Sequence, residues 1–176
     1  GAQGIGEAIA RRLAREGAEA AILDIQDEKA GTVADDISSG GGKALAVKMD
    51  IADPSDVRRA IQEVESTFGR VDVLINNVGW DKAGPFIETG EEVWDTVIAT
   101  NLRGPITATR AVLNGMIERG YGRIVNIASD AGRVGSSGES VYSACKGGII
   151  SFTKTLAREL VRYNILVNCV SPGPTD

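Results

Sequence analysis

Short apolar runs alternate along the chain with longer stretches whose apolar residues recur every three or four positions. The runs 20–23, 44–49, 71–75, 123–128 and 165–170 are predicted strands, and most are continuously apolar, as strands covered on both faces are. Ile5, Ala8, Ile9 and Leu13 recur at helical spacing, with Gly17 where a C-terminal cap belongs. Val33 and Ile37 mark a second helix. Asp53 before Pro54 is an N-cap with proline at the first helical position; Val57, Ile61, Val64 and Phe68 follow and Gly69 closes. Thr89 and Glu92 predict a capping box for a helix from 91 toward 119, bent near Gly104-Pro105. A last helix is expected over 141–163. Alternation of this kind through five strands predicts an α/β fold. Its parallel sheet is doubly wound by right-handed crossovers into three layers, α/β/α, with ligands at the carboxyl ends of the strands. No repeat or linker divides the sequence, so residues 1–176 are expected to form one domain.

Composition narrows the chemistry. With 19 Lys and Arg against 24 Asp and Glu, the net charge of −5 gives no basic face for nucleic acid. No run of about 18 apolar residues exists to cross a membrane. There is no histidine, which removes Ser-His-Asp hydrolysis, Cys-His proteolysis and His-ligated zinc. Proton transfer is left to Tyr, Lys, Asp, Glu or Cys. Cys145 and Cys169 have neither metal spacing nor a disulfide framework, and no metal site is expected. Reduced thiols and the lack of a charged-then-apolar leader lead to a cytoplasmic expectation.

The chain opens Gly1-Ala2-Gln3-Gly4-Ile5-Gly6, directly before a predicted helix. Glycines allow a tight turn and close approach of a pyrophosphate, which helix N-terminal amides then hold. Asp24 lies 20 residues after Gly4, at the end of the first apolar run. A carboxylate there accepts hydrogen bonds from an adenosine ribose and repels a 2′-phosphate. Gln3, Ile25 and Gln26 are not basic, so the reading favours NAD over NADP.

Tyr142 and Lys146 stand four apart near the start of the last helix, on one face. A cation near a phenol favours tyrosinate, so this pair is a route to proton transfer without histidine. Ser129 follows the fourth predicted strand directly, 13 residues before Tyr142, where its hydroxyl can meet a substrate oxygen. Each of these signals also has an ordinary structural reading: a helix-capping loop, a solvated helix pair, a serine at a strand exit.

Together the segments Gly1 to Gly6, Asn76-Asn77-Val78-Gly79, Asn101, Ser129, Tyr142-Ser143-Ala144-Cys145-Lys146 and Pro172-Gly173 resemble the short-chain dehydrogenase/reductases, in order and spacing, over essentially the whole sequence. The resemblance implies a Rossmann-like fold. It implies Tyr142 as general acid/base, with Lys146 binding the nicotinamide ribose and lowering the Tyr142 pKa. Ser129 would orient the substrate carbonyl, and Asn101 would hold a water linking Lys146 to solvent, in a helix distorted at that point. Gly1, Gln3, Gly4, Ile5, Gly6, Asp24, Asp50, Ile51, Asn77, Gly79, Pro172, Gly173 and Thr175 would line the cofactor together with Tyr142 and Lys146. Departures accompany the match. Asn-Asn-Ala-Gly reads Asn-Asn-Val-Gly, and the family's Thr-Gly and preceding strand are not in the sequence. The sequence ends at Asp176, before the family's substrate-covering loop and final strand. The chain is therefore expected to lack the first and last strands of the sheet and to be truncated at both ends.

The expected activity is NAD-dependent hydride transfer with a small-molecule secondary alcohol or ketone. Residues 77–81, 122–146 and 167–176 resemble the 2-hydroxycyclohexanecarboxyl-CoA dehydrogenases, which points to an alicyclic hydroxyacyl-CoA. Residues 133–140 would line the pocket, with Arg133 read as a solvated loop residue or as a partner for a CoA phosphate. The alternatives are a 3-oxoacyl-[acyl-carrier-protein] reductase using NADPH and, from another class, a non-catalytic nucleotide-binding fragment. Apolar residues over 91–119 and 141–163, among them Ile149, Ile150, Phe152, Leu156, Leu160 and Val161, fit sheet packing or the family's homodimer and homotetramer interface.

Overall fold

A computed structural model describes residues 1–173, and the chain divides into two compact units, Gly1–Arg70 and the remainder from Val71. In the first, helix α1 (Gly4–Arg15) leads to strand β1 (Ala20–Asp24), α2 (Asp27–Ser39), β2 (Ala44–Lys48) and α3 (Pro54–Phe68). β1 and β2 pair in parallel from Ala20 with Ala44 to Asp24 with Lys48. The core here is built of small side chains: Ala2, Ala30 and Ala34 pack with Ile22, Val33 and Ile37, flanked by Ala10, Ala14, Ala20, Ala44 and Ala46. Gly17 ends α1 as expected. At φ +92° it lets its own amide reach Ala14 O and the amide of Ala18 reach Leu13 O, so two orphan carbonyls of the last turn are satisfied. Asp53 caps α3 through the amides of Ser55 and Asp56, with Pro54 first in the helix.

The second unit runs β3 (Val73–Asn76), α4 (Glu91–Ile98), α5 (Gly104–Arg119), β4 (Gly122–Ile127), α6 (Ala131–Val134), α7 (Ser140–Leu160) and β5 (Ile165–Val170). Its strands are parallel in the order β3-β4-β5. Ile124, Ile165 and Val167 of the sheet are buried with Val97, Val112 and Met116 of α4 and α5 and Ile149 and Leu160 of α7. All five predicted strands are present within two residues of their expected ends, and the class is α/β with parallel pairing throughout. No helix among the described residues is long and apolar enough to cross a membrane.

Two expectations change. The strands pair as two sheets rather than one; among the described residues β1 has only β2 as a partner, and β3 only β4. The capping box does not form. Gly90 is the N-cap of α4, while the Thr89 hydroxyl donates to Phe86 O and accepts the Trp94 indole N–H. The bend expected near Gly104-Pro105 takes the form of the distortion that the family resemblance implies at Asn101: a π-turn over Ala99–Arg103 joins α4 to α5. Pro105 supplies the cause, because it has no N–H to give the carbonyl of Asn101 four residues earlier.

Candidate active site

In the second unit, the carboxyl end of β4 and the first turns of α7 converge. Ser129 leaves β4 one residue after Ala128, and its Oγ accepts the amide of Ala131 at 3.2 Å, which turns the chain into α6. The same hydroxyl acts on the phenol of Tyr142, in the first turn of α7, and favours its ionised form. One turn further, Lys146 is 3% exposed. Its Nζ lies 5.5 Å from the centre of the Tyr142 ring and donates to Ile127 O at 3.1 Å and Val78 O at 3.4 Å. The strand end, the loop after β3 and the helix therefore hold one ammonium between them.

Asn101, fully buried in the π-turn, completes the group. Its Nδ2 donates to Trp80 O at 2.6 Å and Val97 O at 2.9 Å, and its Oδ1 accepts the Trp80 amide at 3.2 Å. This side chain anchors the loop that brings Gly79 over the site. A Cβ built on Gly79 would lie 3.5 Å from Asn101 Oδ1 and 3.7 Å from Lys146 Nζ, an ordinary contact, so space remains beside the ammonium. Gly132 of α6 has no such room. A Cβ there would meet the backbone of Lys146 and Gly147 at 2.6 and 2.7 Å. α6 thus seats on α7 at the residue that carries the ammonium.

Burial dominates the electrostatics of the pair. Burial lowers the Lys146 pKa to about 8. Tyr142 is pushed above its ordinary value by burial; the nearby Ser129 hydroxyl works against this, and the carboxylates of Glu139 and Asp81 add to it. Below about 8 Lys146 is an ammonium, with two of its protons on the carbonyls of Ile127 and Val78. Asp81 is raised too, by burial and by Glu139, and its Oδ2 has no hydrogen-bond partner among the described residues. Glu139 falls in the stretch 133–140 expected to line the pocket, three residues before Tyr142; Asp81 was not legible as a neighbour of Tyr142, because only folding brings it there.

The first unit carries the glycine loop. Gly4 has φ +55° and begins α1, with Gly6 buried and Ile5 partly exposed behind it. Asp24, at the end of β1, accepts the Gly1 nitrogen at 2.6 Å and the Ala2 amide at 2.9 Å on Oδ2, and the Gln26 amide at 3.0 Å on Oδ1. Burial raises its pKa, and the hydrogen bonds from the Ala2 and Gln26 amides lower it. The loop and the carboxylate therefore form one cradle. Lys29 of α2 enters it as well, donating to Gln3 Oε1 at 3.0 Å. Reading only the neighbours of Asp24 missed this cation.

The remaining expected positions are less engaged. Asp50 is used locally, its Oδ1 accepting the Ala52 amide and its own amide bonding Asp56 Oδ2. Ile51 and Asn77 are half-buried and follow β2 and β3 respectively. Pro172 O accepts the Asp130 amide at 2.9 Å, which ties the segment after β5 to the loop after Ser129, and Gly173 is exposed. Thr175 lies outside the described residues. Arg133 is exposed and pairs with Asp130 at 2.8 Å, the solvated reading. Both cysteines are free.

Comparison with known proteins gives a match to the short chain dehydrogenase family over residues 1–176. The chain is 41% identical over 172 residues to "(2S)-[(R)-hydroxy(phenyl)methyl]succinyl-CoA dehydrogenase subunit BbsD" of Thauera aromatica, covering 98% of this chain and 69% of that one. It is 40% identical over 173 residues to a 3-oxoacyl-[acyl-carrier-protein] reductase of Bos taurus, covering 98% of this chain and 72% of that one. It is 42% identical over 172 residues to Oxidoreductase UcpA of Salmonella typhimurium, covering 97% of this chain and 65% of that one.

Proposed function

The chain belongs to the short-chain dehydrogenase family of oxidoreductases, and from that premise we propose that it oxidises a secondary alcohol to a ketone, or the reverse, with NAD as hydride partner. The observation that carries this reading is the Ser129–Tyr142–Lys146 group: a serine at a strand exit acts on the phenol, and a buried amine stands one helical turn away, 5.5 Å from the ring. In oxidation the Tyr142 phenolate takes the hydroxyl proton of the alcohol and becomes the phenol, in reduction the phenol gives that proton back, and Ser129 fixes the oxygen concerned. Lys146, held by Ile127 O and Val78 O, has one N–H left to bind a ribose hydroxyl. Asn101 keeps the Gly79 loop in place above it. Bound nicotinamide supplies the hydride acceptor and, when oxidised, a positive ring.

The donor set fits that cofactor. Asp24 offers a carboxylate at a strand end, beside a glycine-led helix start whose amides suit a pyrophosphate. Gln3, Gly4 and Gly6 belong to that start, and Asp50, Ile51, Asn77, Pro172, Gly173 and Thr175 are assigned to cofactor contacts on the family pattern. For substrate we favour an alicyclic or otherwise bulky hydroxyacyl-CoA, supported by the activity for which the Thauera aromatica relative is named. A homodimer or homotetramer through residues 91–119 and 141–163 is part of the proposal; Val161 there is 61% exposed, and light scattering tests it.

One observation favours a second reading. Lys29 at Gln3 places a cation where a 2′-phosphate would seek one, which suits reduction of a 3-oxoacyl thioester with NADPH. Steady-state turnover with NAD(H) and NADP(H), against cyclic hydroxyacyl-CoA thioesters, 3-oxoacyl thioesters and simple alcohols, separates the two. A Tyr142→Phe protein as fast as wild type would overturn both.

A further inference from the structure

A line of buried polar side chains crosses the second unit and takes none of the roles above. Asn76, at the end of β3, donates from Nδ2 to Thr109 Oγ1 of α5 at 3.1 Å and to Asn126 Oδ1 of β4 at 2.8 Å. Asn126 donates to Thr153 Oγ1 of α7 at 2.8 Å, and the Thr153 hydroxyl donates to Ile149 O at 2.8 Å. All four side chains are more than nine-tenths buried, and Asn126 has no exposure at all. Asn76 and Asn126 are register partners in the sheet.

Apolar residues of similar volume would fill this space, so the polar atoms are not required for packing. What they add is direction. An apolar contact between a helix and a sheet tolerates a slide of a fraction of an ångström. A buried amide with one available acceptor does not, because losing that acceptor leaves an unpaired N–H in a dry core.

The placement of the pair gives that direction a use. Asn126 stands three residues before Ser129 on β4, and Thr153 stands seven residues, two helical turns, after Lys146 on α7. The bond thus joins the two elements that carry the acid–base group. Gly132 sets the approach of α6 to α7; the Asn126–Thr153 bond sets the position of α7 along the strand.

Resting on the proposed function, we propose that Thr153 and Asn126 are positioning residues for the reaction: their hydrogen bond fixes α7 along β4 and thereby the spacing between Ser129 and the Tyr142–Lys146 pair. Neither touches a reacting atom.

The test uses the full protein with Thr153→Val, which keeps the shape and removes the hydroxyl, Thr153→Ser, which restores it, and Thr109→Val, which breaks only the α5 end of the line. The expected result is that T153V lowers kcat about tenfold or more with the KM for cofactor nearly unchanged, as misplacement of reacting groups does. T153S recovers most of that loss, while T109V lowers melting temperature and leaves kcat and its pH profile in place. Should T153V not fold, Thr153→Cys, of similar size with a weak sulfur acceptor, is held to the same criteria. The Tyr142 phenolate titration, read by difference absorbance against Y142F, needs no turnover. Its midpoint moves in T153V and not in T109V. If wild type turns over no alcohol or ketone, the functional reading fails, and this titration still decides the positioning claim. A folded T153V with wild-type kcat and titration overturns the proposal, as does equal loss in T153V and T109V.

Discussion

Asn101 grips the backbone of Trp80 from both sides, giving Nδ2–H to its carbonyl at 2.6 Å and taking its amide on Oδ1 at 3.2 Å. With Val97 O as the second acceptor, at 2.9 Å, both Nδ2 protons are spent. Any part for Asn101 in moving protons therefore falls to its backbone carbonyl, which Pro105 leaves without the usual helical donor. The side chain instead anchors the loop whose Val78 carbonyl holds Lys146.

Asn101→Ala tests that division. It strips partners from Trp80 N–H and O and from Val97 O in a buried place, which costs ~1–3 kcal/mol for each group left unpaired. We expect an unfolding free energy lower by about 2 kcal/mol or more in urea titrations. The Val78 carbonyl loses its fixed position under Lys146, so turnover falls by about tenfold or more. A variant with unchanged stability and rate would show that the loop is held by something else.

Much of this was legible in the chain. Continuous apolar runs marked all five strands, and Asp53-Pro54 and Gly17 marked a helix start and a helix end, because each is decided by residues within one turn. Thr89 shows the limit of such local signals. Its hydroxyl was free in sequence to cap α4, but folding brought the Trp94 indole to it. The surroundings of Tyr142 show the same limit. The helical spacing of Lys146 and the nearness of Glu139 are local, whereas the burial of both groups and the approach of Asp81 are tertiary. Pairing into two sheets was likewise invisible, since a run of apolar residues does not name its neighbour.

On the proposed function, cofactor preference would turn on Asp24. The carboxylate repels a 2′-phosphate while Lys29, at Gln3, would attract one. Asp24→Asn removes the repulsion and leaves the cation, so the ratio of kcat/KM for NADP to that for NAD should rise by about tenfold or more, on the scale of one ionic hydrogen bond. Asp24→Asn with Lys29→Ala should return most of the gain. Equal ratios in wild type and D24N would remove Asp24 from the cofactor site.

Lys146 makes stability depend on pH in a direction fixed by its burial. Its pKa falls from 10.5 in the open chain to about 8 in the fold. Between those values the unfolded chain binds the proton and the folded chain does not, so stability rises with pH. Below about 8 both states are charged and the burial penalty is fully present. The span corresponds to ~3 kcal/mol as an upper figure. Lys146→Met, inactive on the proposed mechanism, lacks this dependence. The stability of wild type minus that of K146M should therefore climb as pH goes from 8 toward 10.5, measured by urea unfolding at several pH values. A flat difference would mean that Lys146 is solvated in the folded protein.

Gly132 offers the sharpest steric test. The methyl of Gly132→Ala would sit 2.6 Å from the Lys146 carbonyl carbon and 2.7 Å from the Gly147 nitrogen, both backbone atoms that no rotamer change can move. Either α6 lifts from α7, carrying Ser129 away through the short Ser129–Ala131 turn, or α7 shifts and takes Tyr142 and Lys146 with it. Both outcomes separate the hydroxyl from the phenol. Gly148→Ala is the matched control one position beyond Gly147 on α7, because its methyl meets only the Leu102 side chain, with Cδ1 at 3.1 Å, which can turn aside. We expect G132A to lose turnover by about a hundredfold, the effect of an ångström-scale displacement of reacting groups. G148A should stay within a few-fold of wild type and melt at a similar temperature. If G132A matched G148A in rate, the contact of α6 with α7 would have no part in setting the geometry of the site.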